Sequence, residues 1–175
     1  LKDDRMGEIE VLVRDALSIN RNVDLGQAYF AGVLERFERS LKENSGNRFS
    51  LVFDTLTKEL DGGLSPKELA MVVAPPGVGK SLFLVNQGVQ ALMQNKKVLY
   101  ISLEMSEDKI AARFDSVMTL ISQKKLKDSL GLLQKRLGIF NDKFPEGRLV
   151  IKEFPTGLAN INDIRSLLVQ LHNYE

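Results

Sequence analysis

The sequence predicts an α/β domain with a mainly parallel sheet, preceded by an N-terminal helical arm. Three observations carry that expectation. From residue 49 onward, short apolar runs at 69–73, 98–103 and 149–154 alternate with segments of helical period. Such strand–helix alternation builds a parallel sheet with right-handed crossovers. Between the first run and the helix after it stands Ala74-Pro75-Pro76-Gly77-Val78-Gly79-Lys80-Ser81, a glycine turn of distinctive composition. Before residue 44 the pattern is that of two helices, and Asn44-Ser45-Gly46-Asn47 then ends it. These place an arm at 1–47 and the α/β domain at 48–175.

The arm reads as two helices. Met6, Ile9, Leu12, Val13, Ala16 and Leu17 form an amphipathic stripe over 5–19. The segment from Asn20 to Asp24 breaks it. Asp24 with Gln27 three residues later resembles a capping box that starts a second helix over 25–43. Phe30, Val33, Leu34, Phe37 and Leu41 lie on one stripe of that helix, and Glu35, Arg36, Glu38, Arg39, Lys42 and Glu43 lie on the other face. The stripe packs either on the arm's own domain or on a neighbouring subunit.

In the α/β region, 68–73 reads as a buried strand. Leu82, Val85, Val89, Leu92 and Met93 then mark a helix over 82–95. A strand at 98–103 leads to a helix over 107–122, with Ser106 as its cap and Glu107 and Asp108 in its first turn. A helix over 125–137, the strand at 149–154 and a helix over 161–172 follow, the last capped by Asn160 or Asn162.

The glycine turn carries chemistry. It is close to the phosphate-binding pattern G-x-x-x-x-G-K-[ST], with Ala74 in place of the first glycine. Alanine is acceptable there if its φ stays negative, and Pro75 and Pro76 stiffen the entry. A strand, a tight turn and a helix start make an anion cradle, because successive backbone N–H groups and the helix dipole point at one spot. Lys80 reaches the outer phosphates in such a cradle, and the Ser81 hydroxyl holds Mg²⁺.

The second candidate is Glu104, in Ser102-Leu103-Glu104-Met105-Ser106 at the carboxyl end of the next strand. Ligands of open parallel sheets bind outside the carboxyl ends of strands. A carboxylate beside the γ-phosphate orients and deprotonates water. The other reading of Glu104 is an acid placed favourably before a helix start. Arg113, nine residues on, reaches back to nucleotide or to a subunit interface, or else is an ordinary surface arginine.

Composition sets bounds on the rest. With 43% hydrophobic residues the 175-residue chain can fill a core. Its 24 basic and 23 acidic residues nearly cancel, leaving a net charge of +1 that neither implies nor excludes a nucleic-acid partner. The absence of cysteine removes disulfides and thiolate metal sites and fits a reducing compartment. No segment approaches the ~18 uninterrupted apolar residues of a membrane span, and the N-terminal LKDDRMGEIE is too charged for a signal peptide. His172, the single histidine, reads as a surface or helix-end residue. Lys96, Lys97, Lys124, Lys125, Lys127, Lys135, Arg136 and Arg148 are spread over several elements among acids, as on solvated faces. No aromatic residues interleave with them to stack single-stranded bases.

Phe53-Asp54 with Leu60-Asp61-Gly62-Gly63-Leu64, the run from Glu68 to Ser81, and Ser102-Leu103-Glu104-Met105-Ser106 with Arg113 together resemble a known core. They are similar to the RecA-like ATPase core of the DnaB-type hexameric replicative helicases of bacteria and phages. The resemblance covers about residues 49–175. It implies a three-layer P-loop fold of RecA type. It implies ATP or ADP and Mg²⁺ as cofactors, with Pro76, Gly77, Val78, Gly79, Lys80, Ser81, Leu82 and Arg113 contacting nucleotide and Ser81 holding the metal. Lys80 and Glu104 would be catalytic, Glu104 as the base. The implied function is NTP hydrolysis driving translocation on single-stranded DNA, in a homo-oligomeric, hexameric ring in the cytoplasm of a bacterium or a phage-infected cell. Residues 1–45 would match the linker that packs between subunits. The family's second magnesium-side acid, DNA-binding loops and arginine finger come later than residue 175. The chain therefore reads as the front half of a motor, inactive by itself. Two other readings stay open: a RecA- or KaiC-like ATPase of recombination or signalling, and a non-enzymatic module for ring assembly.

Overall fold

The computed structural model describes residues 29–30, 32–44, 48–157 and 159–173. The helix expected over 5–19, the Asp24–Gln27 box and the loop at 45–47 lie outside them. The chain divides into two units between Lys42 and Glu43.

In the first unit, α1 (Val33–Asn44) begins later than its stripe suggests. Tyr29 and Phe30 sit in a turn, and Gly32 has φ 64°. A positive φ at glycine interrupts any helix running in from upstream, so Phe30 is not part of the helical stripe. The Arg36 guanidinium closes the turn by donating to Tyr29 O at 2.7 Å and lying over the Tyr29 ring at 4.8 Å. Val33, Leu34, Phe37 and Leu41 are all exposed.

The second unit is mixed α/β with a parallel sheet. A short helix α2 (Asp54–Glu59), not expected from the sequence, leads to α3 (Lys80–Leu92). Then follow β1 (Lys97–Ser102), α4 (Glu107–Thr119), two 3-10 turns, α5 (Leu130–Lys143), β2 (Arg148–Glu153) and α6 (Ile161–Asn173). β1 and β2 pair in parallel, with Lys97 opposite Arg148 and Ser102 opposite Glu153. Both strands therefore end at the same level, and so do the loops that leave them.

The core forms where α3 and α4 meet one face of this sheet. Val85 and Val89 of α3 and Ile110 and Phe114 of α4 are buried, with Tyr100, Leu149 and Ile151 packed against them. Leu149 and Ile151 are two residues apart and so share a face. The Phe114 ring meets Tyr100 edge-on with centroids 5.5 Å apart. Burying each such side chain contributes roughly 1.5–3 kcal/mol. At Gly88 of α3, an added Cβ would lie 2.8 Å from Cε1 and Cζ of Phe114, so glycine is what lets the two helices approach.

The segment ahead of α3 departs from expectation. Residues 69–73 form no strand. Leu69, Met71 and Val73 are 90%, 80% and 83% exposed. Glu68 is drawn into a turn, its carboxylate accepting from Ser65 N at 2.7 Å. An apolar run becomes a strand only when a neighbour supplies the ladder, and among the described residues the sheet has only β1 and β2. The helix expected from 125 begins at Leu130 because 3-10 turns occupy Gln123–Lys125 and Lys127–Ser129. The other helices and strands lie within about three residues of their expected ends.

The chain ahead of α2 is fixed by glutamines. Gln94 of the turn after α3 accepts from Ser50 N and donates to Ser50 O, both at 3.0 Å. Gln87 accepts from Val52 N at 3.1 Å, and Gln90 donates to the Ser50 hydroxyl at 3.3 Å. Side-chain amides thus take the place that a neighbouring strand would fill.

Candidate functional site

The loop at 74–79 enters α3 through two left-handed glycines, Gly77 (φ 80°) and Gly79 (φ 102°). An added Cβ at either would meet nothing within 4 Å. The need for glycine is therefore conformational, since L-residues rarely take such φ values. Ala74 precedes the turn without a positive φ, so its replacement of the usual glycine introduces no strain of that kind.

α3 starts at Lys80 with Gly79 as its N-cap, and the first helical bond runs from Phe83 N to Gly79 O at 2.9 Å. The N–H groups of Lys80, Ser81 and Leu82 precede that bond and have no partner within the helix. No side chain caps this end. An anion fits such a helix start, where free donors and the dipole coincide. Gly77, Val78 and Gly79 are exposed, whereas Lys80 and Ser81 are half-buried.

The Lys80 ammonium is folded over the loop. It donates to Ala74 O at 2.7 Å and Pro75 O at 3.2 Å. An ammonium has three N–H bonds, so one remains for a ligand. Among the described residues no group of three or more acids or histidines could hold a metal. Ser81 in the first turn still fits Mg²⁺, which keeps waters and takes most ligands from substrate phosphates.

Glu104 lies on the short loop 103–106 between β1 and α4, exposed. The Ser102 hydroxyl accepts from Met105 N at 2.9 Å and donates to Met105 O at 2.6 Å. The Thr156 hydroxyl, on the loop after β2, donates to Leu103 O at 2.7 Å. Phe154 N donates to Ser102 O at 2.9 Å. Ser106 occupies the N-cap position of α4 as expected, but its side chain makes no capping bond; Ser102 organises this corner instead. Glu107 carries a second tie. Its carboxylate accepts from Glu153 N and Lys152 Nζ, each at 3.1 Å. The backbone bond first and the lysine second hold its pKa below the ordinary glutamate value.

Arg113, on α4, is half-buried beside Tyr100. Burial raises the Tyr100 pKa and the Arg113 charge partly offsets it. Among the described residues no hydrogen bond or ion pair joins Arg113 or Glu104 to the 74–81 loop. Pro76, within that loop, and Leu82, just after it, are both exposed. A groove of about 530 Å³ lies elsewhere, between α3 and β1, lined by Leu84, Gly88, Ala91, Val98 and Tyr100 among others. The hydrogen-bonding roles of Ser102, Thr156 and the glutamines at 87, 90 and 94 do not follow from the sequence pattern. Only the glutamines left a signal there, a polar stripe at helical spacing along an otherwise apolar helix.

Residues 51–174 match the family described as DnaB-like helicase C terminal domain. The chain is 31% identical over 169 residues to a DnaB-like replicative helicase of Enterobacteria phage T4, covering 95% of this chain and 35% of that protein. It is 31% identical over 118 residues to the replicative DNA helicase DnaB of Pasteurella multocida, covering 63% and 25%. A DNA repair protein RadA of Listeria monocytogenes is 45% identical over 51 residues, 29% of this chain and 11% of that protein. The chain thus spans about a third or less of the length of these curated relatives. With most of its α/β unit inside the family match, the chain belongs to the DnaB-like helicase C-terminal domain family.

Proposed function

We propose that this chain supplies the nucleotide-binding part of an ATP-driven replicative DNA helicase. The carrying observation is the loop at 74–81. Two left-handed glycines lead into α3, its first three N–H groups have no partner within the helix, and the Lys80 ammonium is tethered to Ala74 O. In this reading the 77–82 backbone and Lys80 bind the β- and γ-phosphates of ATP, and Ser81 ligates Mg²⁺. The metal, when bound, neutralises phosphate charge. Glu104 takes a proton from the attacking water, and Arg113 contacts the nucleotide or a neighbouring subunit. The domain is a three-layer, RecA-like P-loop unit over 48–175. The arm at 1–47 presents its apolar stripe to the next subunit of a hexameric ring, which moves on single-stranded DNA in the cytoplasm of a bacterium or a phage-infected cell.

The test is a titration with fluorescent ADP and Mg²⁺, repeated with Lys80→Ala. Loss of one charged contact costs roughly 1.5–3 kcal/mol, so affinity should fall by tenfold or more. Equal affinity in the two proteins refutes the assignment. A second reading, an ATPase acting in DNA repair, rests on the match to RadA. Unwinding of a forked duplex by the full-length protein, lost with Lys80→Ala, favours the helicase. ATP hydrolysis without unwinding favours the repair ATPase.

A further inference from the structure

We propose that Ser102 and Thr156 are positioning residues that fix the backbone on both sides of Glu104; the proposal rests on the reading of Glu104 as the base. A base must be held within about 0.5 Å of its productive place, and a 1 Å error costs about a hundredfold in rate. Glu104 stands on a four-residue connection and is exposed, so its precision has to come from its backbone. The peptide group before it contains Leu103 O, which the Thr156 hydroxyl holds. The peptide group after it contains Met105 N, which the Ser102 hydroxyl holds. Each plane flanking Glu104 is thereby pinned by one side-chain hydroxyl, and φ and ψ of Glu104 are set between them. Ser102 is itself 6% exposed and its carbonyl is bound by Phe154 N, so its anchor is the sheet. Thr156 reaches the loop from the far end of β2, a strand whose end Glu107 ties to α4. The geometry of the base therefore depends on the loop after β2, whose Thr156 is 53 residues from Leu103.

The experiment is steady-state MgATP hydrolysis by the full-length protein. Thr156→Val keeps the shape and removes the donor. It should lower kcat by about tenfold to a hundredfold with KM and ADP affinity unchanged, and Thr156→Ser should restore the rate. In a Glu104→Gln background, Thr156→Val should change the residual rate less than twofold, because its effect passes through the carboxylate. Ser102→Ala should speed exchange of the Met105 amide about fivefold, the equivalent of one hydrogen bond. Should Ser102→Ala not fold, the exposed Thr156 still carries the test. Near-normal turnover in Glu104→Gln overturns the reading of the base itself. Lost turnover in Glu104→Gln with normal kcat in Thr156→Val overturns only the positioning role. So does a Thr156→Val loss that Ser fails to rescue, or one that persists in the Glu104→Gln background.

Discussion

Replacing Gly88 with alanine pits two opposing effects against each other at one atom. In a helix interior alanine is favoured over glycine by about 1 kcal/mol. The new methyl would stand 2.8 Å from two carbons of the Phe114 ring, where relaxed carbon contacts are about 3.5–4.0 Å. The ring has nowhere to retreat. It is 1% exposed, and Tyr100 meets it edge-on. Overpacking of this kind costs about 1–3 kcal/mol, so Gly88→Ala should destabilise by up to about 2 kcal/mol after the helix gain is deducted. With Phe114→Leu the ring is gone, and the same methyl should then stabilise by up to about 1 kcal/mol. The coupling energy in the double-mutant cycle is thus expected at about 1–3 kcal/mol in favour of the double variant. Urea unfolding of the four proteins, followed by far-ultraviolet circular dichroism, measures it. Additivity within about 0.5 kcal/mol, or a rise in the midpoint for Gly88→Ala alone, would refute the argument that this glycine sets the distance between α3 and α4.

Two further predictions concern pH. Glu107 has a lowered pKa, so its charged form is favoured by the fold. The stabilisation it gives is complete above the ordinary value of 4.5 and is lost as pH falls through the lowered one. The stability gap between the parent and Glu107→Gln, measured by urea unfolding, should therefore be widest near neutrality and close in acid; a gap independent of pH would contradict the tie to Glu153 N and Lys152. Asp115 behaves oppositely, since burial raises its pKa above 3.8. Its charge costs stability at neutral pH, and the cost is relieved as pH falls through the raised pKa toward 3.8. Asp115→Asn should raise the urea midpoint at neutral pH and lose that advantage in acid; a lower midpoint at neutral pH would show that the carboxylate has a stabilising role.

What the sequence makes legible is what neighbours in the chain decide. The glycine turn, the start of α3 and the order of α3, β1, α4, β2 and α6 each follow from residues within a few positions of one another. The α6 cap is similar: Asn160 Oδ1 accepts from Asn162 N and Asp163 N, and Asp163 Oδ2 accepts from Asn160 N. Residues 69–73 depart from the expected strand because strand character needs a partner that local pattern cannot supply. α1 starts at Val33 rather than near residue 25 because a capping-box pattern at Asp24 carries no account of Gly32 turning to positive φ. Thr156 was invisible for a related reason. A threonine in a loop has no periodicity, and its partner is remote in sequence.

The bare run at 69–73 has a practical consequence. Leu69, Ala70, Met71, Val72 and Val73 carry no charge, the two valines favour extended backbone, and all five are exposed. Segments of this kind recruit copies of themselves into intermolecular sheets. Glu68 and the Pro75–Pro76 pair bracket the run, and a charge and prolines at such borders slow the growth of these sheets. A preparation of this chain is therefore expected to lose material by concentration-dependent aggregation well below its unfolding temperature. A single lysine in place of Met71 should extend its shelf life without touching the buried core.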